Sequence, residues 1–255
     1  MTLDGCRGIV SVGMRGLFAL LVSCVIVACS SSPPYAGMSD DEIVEHGLRA
    51  YDAGDWDEVV QSLGRVVLAA PNHPRGDEVR LALANAYSER EEYLTAAAEF
   101  EMFLVRYPSH GRAPDASIGI CRSYAELSPH PQRDAEYTRR ARDACRNTVL
   151  DFQGTNIAEE AERLRVEMVE KLAQKEFEDG RFYERRNLYD SAILYYQNLV
   201  EQYPGTSWSP RGWAALHRTY RTIGWTEEAE EARSNLLSLY PDSPEARELR
   251  AEDDG

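Results

Sequence analysis

The chain has 255 residues, enough for one or two domains with a sizeable core, and 43% hydrophobic with 28% charged residues describes a globular protein rather than a disordered one. Its 28 basic residues against 43 acidic ones give a formal charge of −15, which argues against affinity for phosphate backbones, so no nucleic-acid partner is expected. Five scattered histidines, only two cysteines beyond residue 29, and no GxSxG, Walker, GxGxxG or HExxH pattern leave no foothold for an enzyme or a metal site.

The first element in chain order is apolar. Leu17 to Ala28 is a dozen residues, short of the roughly 20 that a helix needs to cross a bilayer. With Arg15 ahead of it, the segment fits the apolar region of a signal peptide. The run Ile26, Val27, Ala28, Cys29 resembles a bacterial lipobox. That resemblance implies cleavage before Cys29, a diacylglycerol on its sulfur and an acyl chain on the new amino terminus. No other cofactor is expected. Residues 1–28 are then a signal peptide, whose start at Met1 or Met14 is left open, and 29–38 a lipidated flexible tether. Ser30 is not the aspartate that retains many lipoproteins at the inner membrane, so the expected address is the periplasmic face of the outer membrane.

Beyond the tether one phrase recurs: "VVLAAPNH", "FLVRYPSH", "TVLDFQGT", "NLVEQYPGT" and "NLLSLYPDS". Its anchors Pro71, Pro108, Gln153, Pro204 and Pro241 are spaced 37, 45, 51 and 37 residues apart. Such a period predicts helix–turn–helix repeats stacked as a solenoid. Between the anchors, small and aromatic residues fall where tetratricopeptide repeats place them, as in Ala84, Tyr87, Tyr93, Ala96, Phe100 and Pro108. Small residues let two helices approach, aromatics fill the space beside them, and proline ends the second helix. The predicted fold is all-α, an α-solenoid of about five tetratricopeptide repeats. Repeats one to three span 39–155, a long connecting helix with repeats four and five spans 156–245, and 246–255 is a polar tail. Repeat three carries extra residues around 127–140. Residues 156–186 read as one long helix, or two nearly continuous ones, a stiff spacer between two binding surfaces.

Repeat geometry nominates side chains for the inner face of the solenoid. Val44, Leu48 and Tyr51 in repeat one, and Glu78, Leu81, Asn85, Ser88 and Glu89 in repeat two, form a candidate groove for an extended precursor peptide. Repeat five offers Arg211, Arg218 and Arg221, either as a partner-binding cluster for carboxylates or as ion-pair partners of Glu227, Glu228 and Glu231. Cys121 and Cys145 sit where small buried residues belong; spacing leaves open whether they are bridged. Tyr107, Tyr203, Tyr240, Trp56, Trp213 and Trp225 read as packing residues between repeats.

The run "EFEDGRFYERRNLYDSAILYYQNLVEQYPGT" (176–206), then "GWTEEAEEA" (224–232), together with the lipobox and five repeats, resembles the BamD family of the β-barrel assembly machine. The resemblance covers about residues 38–245. It implies a non-enzymatic, membrane-anchored periplasmic scaffold. Its expected partners are the POTRA region of a BamA-like barrel subunit, accessory lipoproteins and unfolded outer-membrane β-barrel precursors. Amino-terminal repeats are expected to serve precursors, and carboxy-terminal repeats the barrel subunit. The first two repeats are also similar to periplasmic coordinators of the Tol–Pal system, and repeat lipoproteins of type IV pili, the pilotins, are a further alternative.

Overall fold

The computed structural model describes residues 34–128, 130 and 134–253; the signal-peptide reading and Cys29 fall outside the described residues. The described residues form eleven α-helices and no strand: α1 Asp40–Ala53, α2 Trp56–Ala69, α3 Gly76–Glu89, α4 Tyr93–Arg106, α5 Ala113–Glu126, α6 Glu136–Asp151, α7 Asn156–Glu184, α8 Tyr189–Gln202, α9 Ser209–Ile223, α10 Thr226–Leu239 and α11 Pro244–Asp253. Each helix packs against the next, so odd-numbered helices are the first, and even-numbered ones the second, of successive repeats.

Local sequence sets the boundaries. A capping box opens α1: Ser39 Oγ accepts from the Glu42 amide at 3.3 Å, and the Glu42 carboxylate accepts from the Ser39 amide at 2.7 Å. The tight turn inside each repeat needs a left-handed residue, filled by Gly54, Glu91, Asn187 and Gly224 with φ between 57° and 81°. Repeat three replaces that turn with its insertion, of which residues 136–140 prove to be the first turn of α6 rather than loop. The second helices end just before Pro71, Pro108, Gln153, Pro204 and Pro241. From one such turn to the next, the Tyr240 hydroxyl donates to the Pro204 carbonyl at 2.6 Å.

Close approach within and between repeats rests on absent side chains. A β-carbon on Gly47 would lie 2.4 Å from Leu63, on Gly119 2.6 Å from Phe100, and on Gly180 2.4 Å from Tyr196. Successive first helices touch each other (α1–α3, α3–α5, α5–α7, α7–α9, α9–α11), whereas among the described residues successive second helices do not. The first helices therefore line the inside of a curved stack.

Three features go beyond what the sequence alone settled. The 29-residue α7 is one unbroken helix, but it is no free spacer: Ala158, Ala161 and Met168 pack in repeat three and Leu172, Ala173 and Gly180 in repeat four. The expected polar tail is helical and buries Ala246 and Leu249 against Leu236, capping the last repeat. Cys121 and Cys145, whose pairing the spacing left open, are joined by a disulfide across α5 and α6, with their Cα atoms 4.8 Å apart.

Candidate functional site

The inner face of repeats one to three holds a groove of about 590 Å³. α5 forms its floor, with Ile118, Gly119, Arg122, Ser123 and Glu126. One wall comes from the ends of α1 and α3, with Tyr51, Asn85, Ser88 and Glu89, joined by Trp56 and Tyr93 from the starts of α2 and α4. The other wall is the first turn of α7, with Asn156, Ile157 and Glu160. Tyr51 is fixed by an edge-on contact with Trp56 at 5.5 Å between ring centres, and its hydroxyl accepts from the Asn85 amide at 3.1 Å. Ser123 turns inward, donating to the Gly119 carbonyl at 2.8 Å.

The charged side of the groove is organised around Arg122. Its Nε and Nη2 each donate to a different Glu160 oxygen at 2.6 Å, a bidentate bridge between α5 and α7. Those bonds hold the Glu160 carboxyl below the usual carboxylate range, against the opposing effect of burial. Arg112 and Asp115 pair at 2.5 Å on the rim. The result is an open trough with an aromatic side (Tyr51, Trp56, Tyr93) and an ionic side, a chemistry suited to an extended peptide carrying aromatic and polar groups.

Of the residues nominated from sequence, Tyr51, Asn85, Ser88 and Glu89 come together in this groove. The other four do not. Val44 and Leu81 are buried in the repeat cores, Leu48 packs half-buried on the first of these, and Glu78 turns away to bind Arg75 at 2.7 Å. The physical reason is that a first helix touches its own second helix, the preceding one and both neighbouring first helices. On α3, seven residues are buried, leaving only a narrow strip towards the groove. Arg122, Glu126 and Glu160 were missed. The repeat itself held the signal for two of them, because α5 starts 37 residues after α3 (113 − 76), and that step carries Asn85 to Arg122 and Glu89 to Glu126.

The three arginines of repeat five do not pair with Glu227, Glu228 or Glu231. Arg211 lies 3.5 Å from Glu245 and over the Trp208 ring. Arg218 grips Glu184 at the end of α7 with bonds of 3.1 and 3.3 Å. Glu184 also accepts from the Tyr196 hydroxyl at 2.7 Å. Burial works to raise the Glu184 pKa, but these two donors outweigh it and hold the carboxyl below its ordinary range. Arg221 has no carboxylate partner among the described residues. With Arg218, His217, Glu245, Glu248 and Glu252 it lines a second depression of about 540 Å³ between α9 and α11.

The "GRFY" run gains a physical meaning here. Gly180 leaves room for the Tyr196 ring, Tyr183 stacks on Tyr195 at 5.3 Å, and Arg186 lies 3.5 Å over the exposed Phe182 ring. Among the described residues no helix is long and apolar enough to cross a membrane.

The chain is similar to several known proteins. A relative in Caulobacter vibrioides, named outer membrane protein assembly factor BamD, is 27% identical over 88% of this chain and 75% of its own length. A Vibrio cholerae protein of the same name is 22% identical over 88% of this chain and 98% of its own. Among solved structures, a tetratricopeptide-repeat protein from Bacteroides fragilis overlaps 84% of this chain and 97% of its own at 11% identity, with a TM-score of 0.46. The family described as YfiO, outer membrane lipoprotein, matches residues 36–237, and the chain belongs to that family.

Proposed function

We propose that the chain is a lipid-anchored scaffold of outer-membrane protein assembly, attached through Cys29 to the periplasmic face of the outer membrane. In this reading the groove of repeats one to three receives extended segments of unfolded β-barrel precursors. The carboxy-terminal repeats bind the POTRA region of a BamA-like barrel subunit and its accessory lipoproteins, without catalysing a reaction. The observation that carries the reading is the groove itself, aromatic on one side and ionic on the other, in a chain whose family is one of outer membrane lipoproteins. The relatives' shared name, outer membrane protein assembly factor, supports the same direction.

Two binding measurements test it separately. A peptide from the end of a barrel precursor should bind the purified chain, and Tyr51→Ala with Arg122→Glu should weaken that binding about tenfold or more, as expected for an aromatic anchor and a charge lost together. Charge reversal at Arg211 and Arg221 should weaken capture of a POTRA fragment and leave the peptide affinity alone. Unchanged affinities in both assays would overturn the reading.

A further inference from the structure

The chain enters the fold along α2. The Pro34 carbonyl accepts from Arg65 Nη1 at 3.0 Å, towards the end of that helix. The Tyr35 hydroxyl donates to Glu58 Oε1 at 2.5 Å near its beginning, and His46 Nε2 lies 2.8 Å from the same oxygen. Residues 34–37 form a turn against α2, closed by the Met38 amide donating to the Tyr35 carbonyl at 3.2 Å, with Pro34 held at the Arg65 guanidinium. Cys29 is five residues further back (34 − 29), and five extended residues span at most about 18 Å. A lipid held on Cys29 therefore keeps the surface of its membrane within that reach of Pro34, which sits at the Arg65 side chain near the far end of α2.

That end is apolar on its outside. Leu68, one turn beyond Arg65, is 85% exposed. The residue at the same point of the next two second helices, three before each anchor, is Val105 at 74% and Leu150 at 58% exposure. Each has an arginine within a turn: Arg65, Arg106 and Arg146. In repeats four and five the equivalent residues are Glu201 and Ser238. Because successive second helices do not touch, these three side chains form a row along a convex edge rather than a groove that would seat a peptide. Aliphatic tips interleaved with guanidinium groups suit the boundary between phospholipid headgroups and acyl chains.

We propose that this edge of repeats one to three, Leu68, Val105 and Leu150 with their arginines, rests on the phospholipid surface that anchors the chain, and that repeats four and five stand away from it. The proposal rests on the lipid attachment at Cys29 proposed above. The full-length chain, matured in a Gram-negative host, would carry a fluorescent amino acid at position 68, 105, 150 or, as a control, the exposed Leu194. It would then be reconstituted on vesicles of phosphatidylethanolamine and phosphatidylglycerol with brominated acyl chains. Quenching at 68, 105 and 150 should be about twofold or more stronger than at 194, since interfacial side chains sit roughly 5–10 Å into the headgroup boundary. Equal quenching at all four positions on a chain whose intact mass shows the acyl groups overturns the edge contact and leaves the anchor standing. An intact mass without acyl groups overturns the anchor and this proposal with it. The labelled positions are surface sites, and unchanged helical circular dichroism confirms that each variant folds.

Discussion

Replacing Gly180 by alanine sets two ordinary effects against each other. In the interior of a helix alanine is favoured over glycine by about 1 kcal/mol. The added β-carbon would stand 2.4 Å from Tyr196 Cε1, 2.7 Å from Cδ1 and 3.0 Å from Cζ. The ring has nowhere to retreat, for it is fully buried, packed with Ala192, Val200 and Leu216, and bounded by Phe177 at 5.8 Å. Overpacking of this kind costs about 1–3 kcal/mol. Shifting the ring also loosens the hydroxyl bond to Glu184, and bonds to charged groups contribute about 1.5–3 kcal/mol when intact. The net expectation is a destabilisation of about 2 kcal/mol, or a fall in Tm of roughly 4–8 °C for a chain of this size. Gly64→Ala in α2 is the matched control, since nothing lies within 4 Å of its β-carbon site; it should gain up to about 1 kcal/mol. Thermal and urea denaturation followed by circular dichroism measure both. In a Tyr196→Leu background the Gly180→Ala penalty should largely disappear. If Gly180→Ala stabilises the chain as Gly64→Ala does, the steric reasoning is refuted.

Three further expectations follow from the same interactions. Cys121 and Cys145 are 24 residues apart in sequence, so replacing both with alanine should cost about 3 kcal/mol on loop-closure entropy, and an unfolding midpoint insensitive to reductant would refute the bridge. Burial holds the Glu176 carboxyl above its usual range, opposed by the bond from Asn198, so its charged form disfavours the fold at neutral pH. Glu176→Gln should then stabilise the chain at pH 7 by roughly 0.5 kcal/mol, with the gain fading as acid protonates the native glutamate; a loss of stability at pH 7 would contradict this. Glu184 has the opposite sign. Its folded pKa lies below the ordinary value of about 4.3, so the Arg218 contact adds stability above that pH and loses it as pH falls through the folded value. Arg218→Ala should therefore cost about 1 kcal/mol at pH 7, with a smaller difference in urea titrations under acid conditions.

Features that repeat were legible in the sequence, and features that join distant repeats were not. The anchors Pro71, Pro108, Pro204 and Pro241 announce helix ends because proline cannot extend the hydrogen-bond ladder, and the helices end there. Faces of the first helices were harder. Val44 and Leu81 share the periodicity of groove-lining positions, but apolar neighbours on several sides of a first helix leave few cues to which strip stays open. Pairing by proximity along the chain suggested Glu227, Glu228 and Glu231 for the arginines of repeat five. Folding instead brought Glu184, 34 residues away, to Arg218. The Cys121–Cys145 bridge lay beyond sequence reading for a similar reason, since only the approach of α5 to α6 fixes the distance between them.

The unbroken α7 also governs how the stack comes apart. A repeat array behaves as a row of units coupled to their neighbours, and a break tends to fall where two units share the least. Here repeats three and four share one backbone ladder across 29 residues, with Met168 buried on one side of its midpoint and Leu172 on the other. Opening either repeat frays the ladder on which the other's half of that helix depends. In native-state hydrogen exchange the amides around Met168–Leu172 should therefore exchange last, with fraying confined to α1 and α11. The middle of the molecule is its clamp, and the orientation of the two halves is held as firmly as the helix itself.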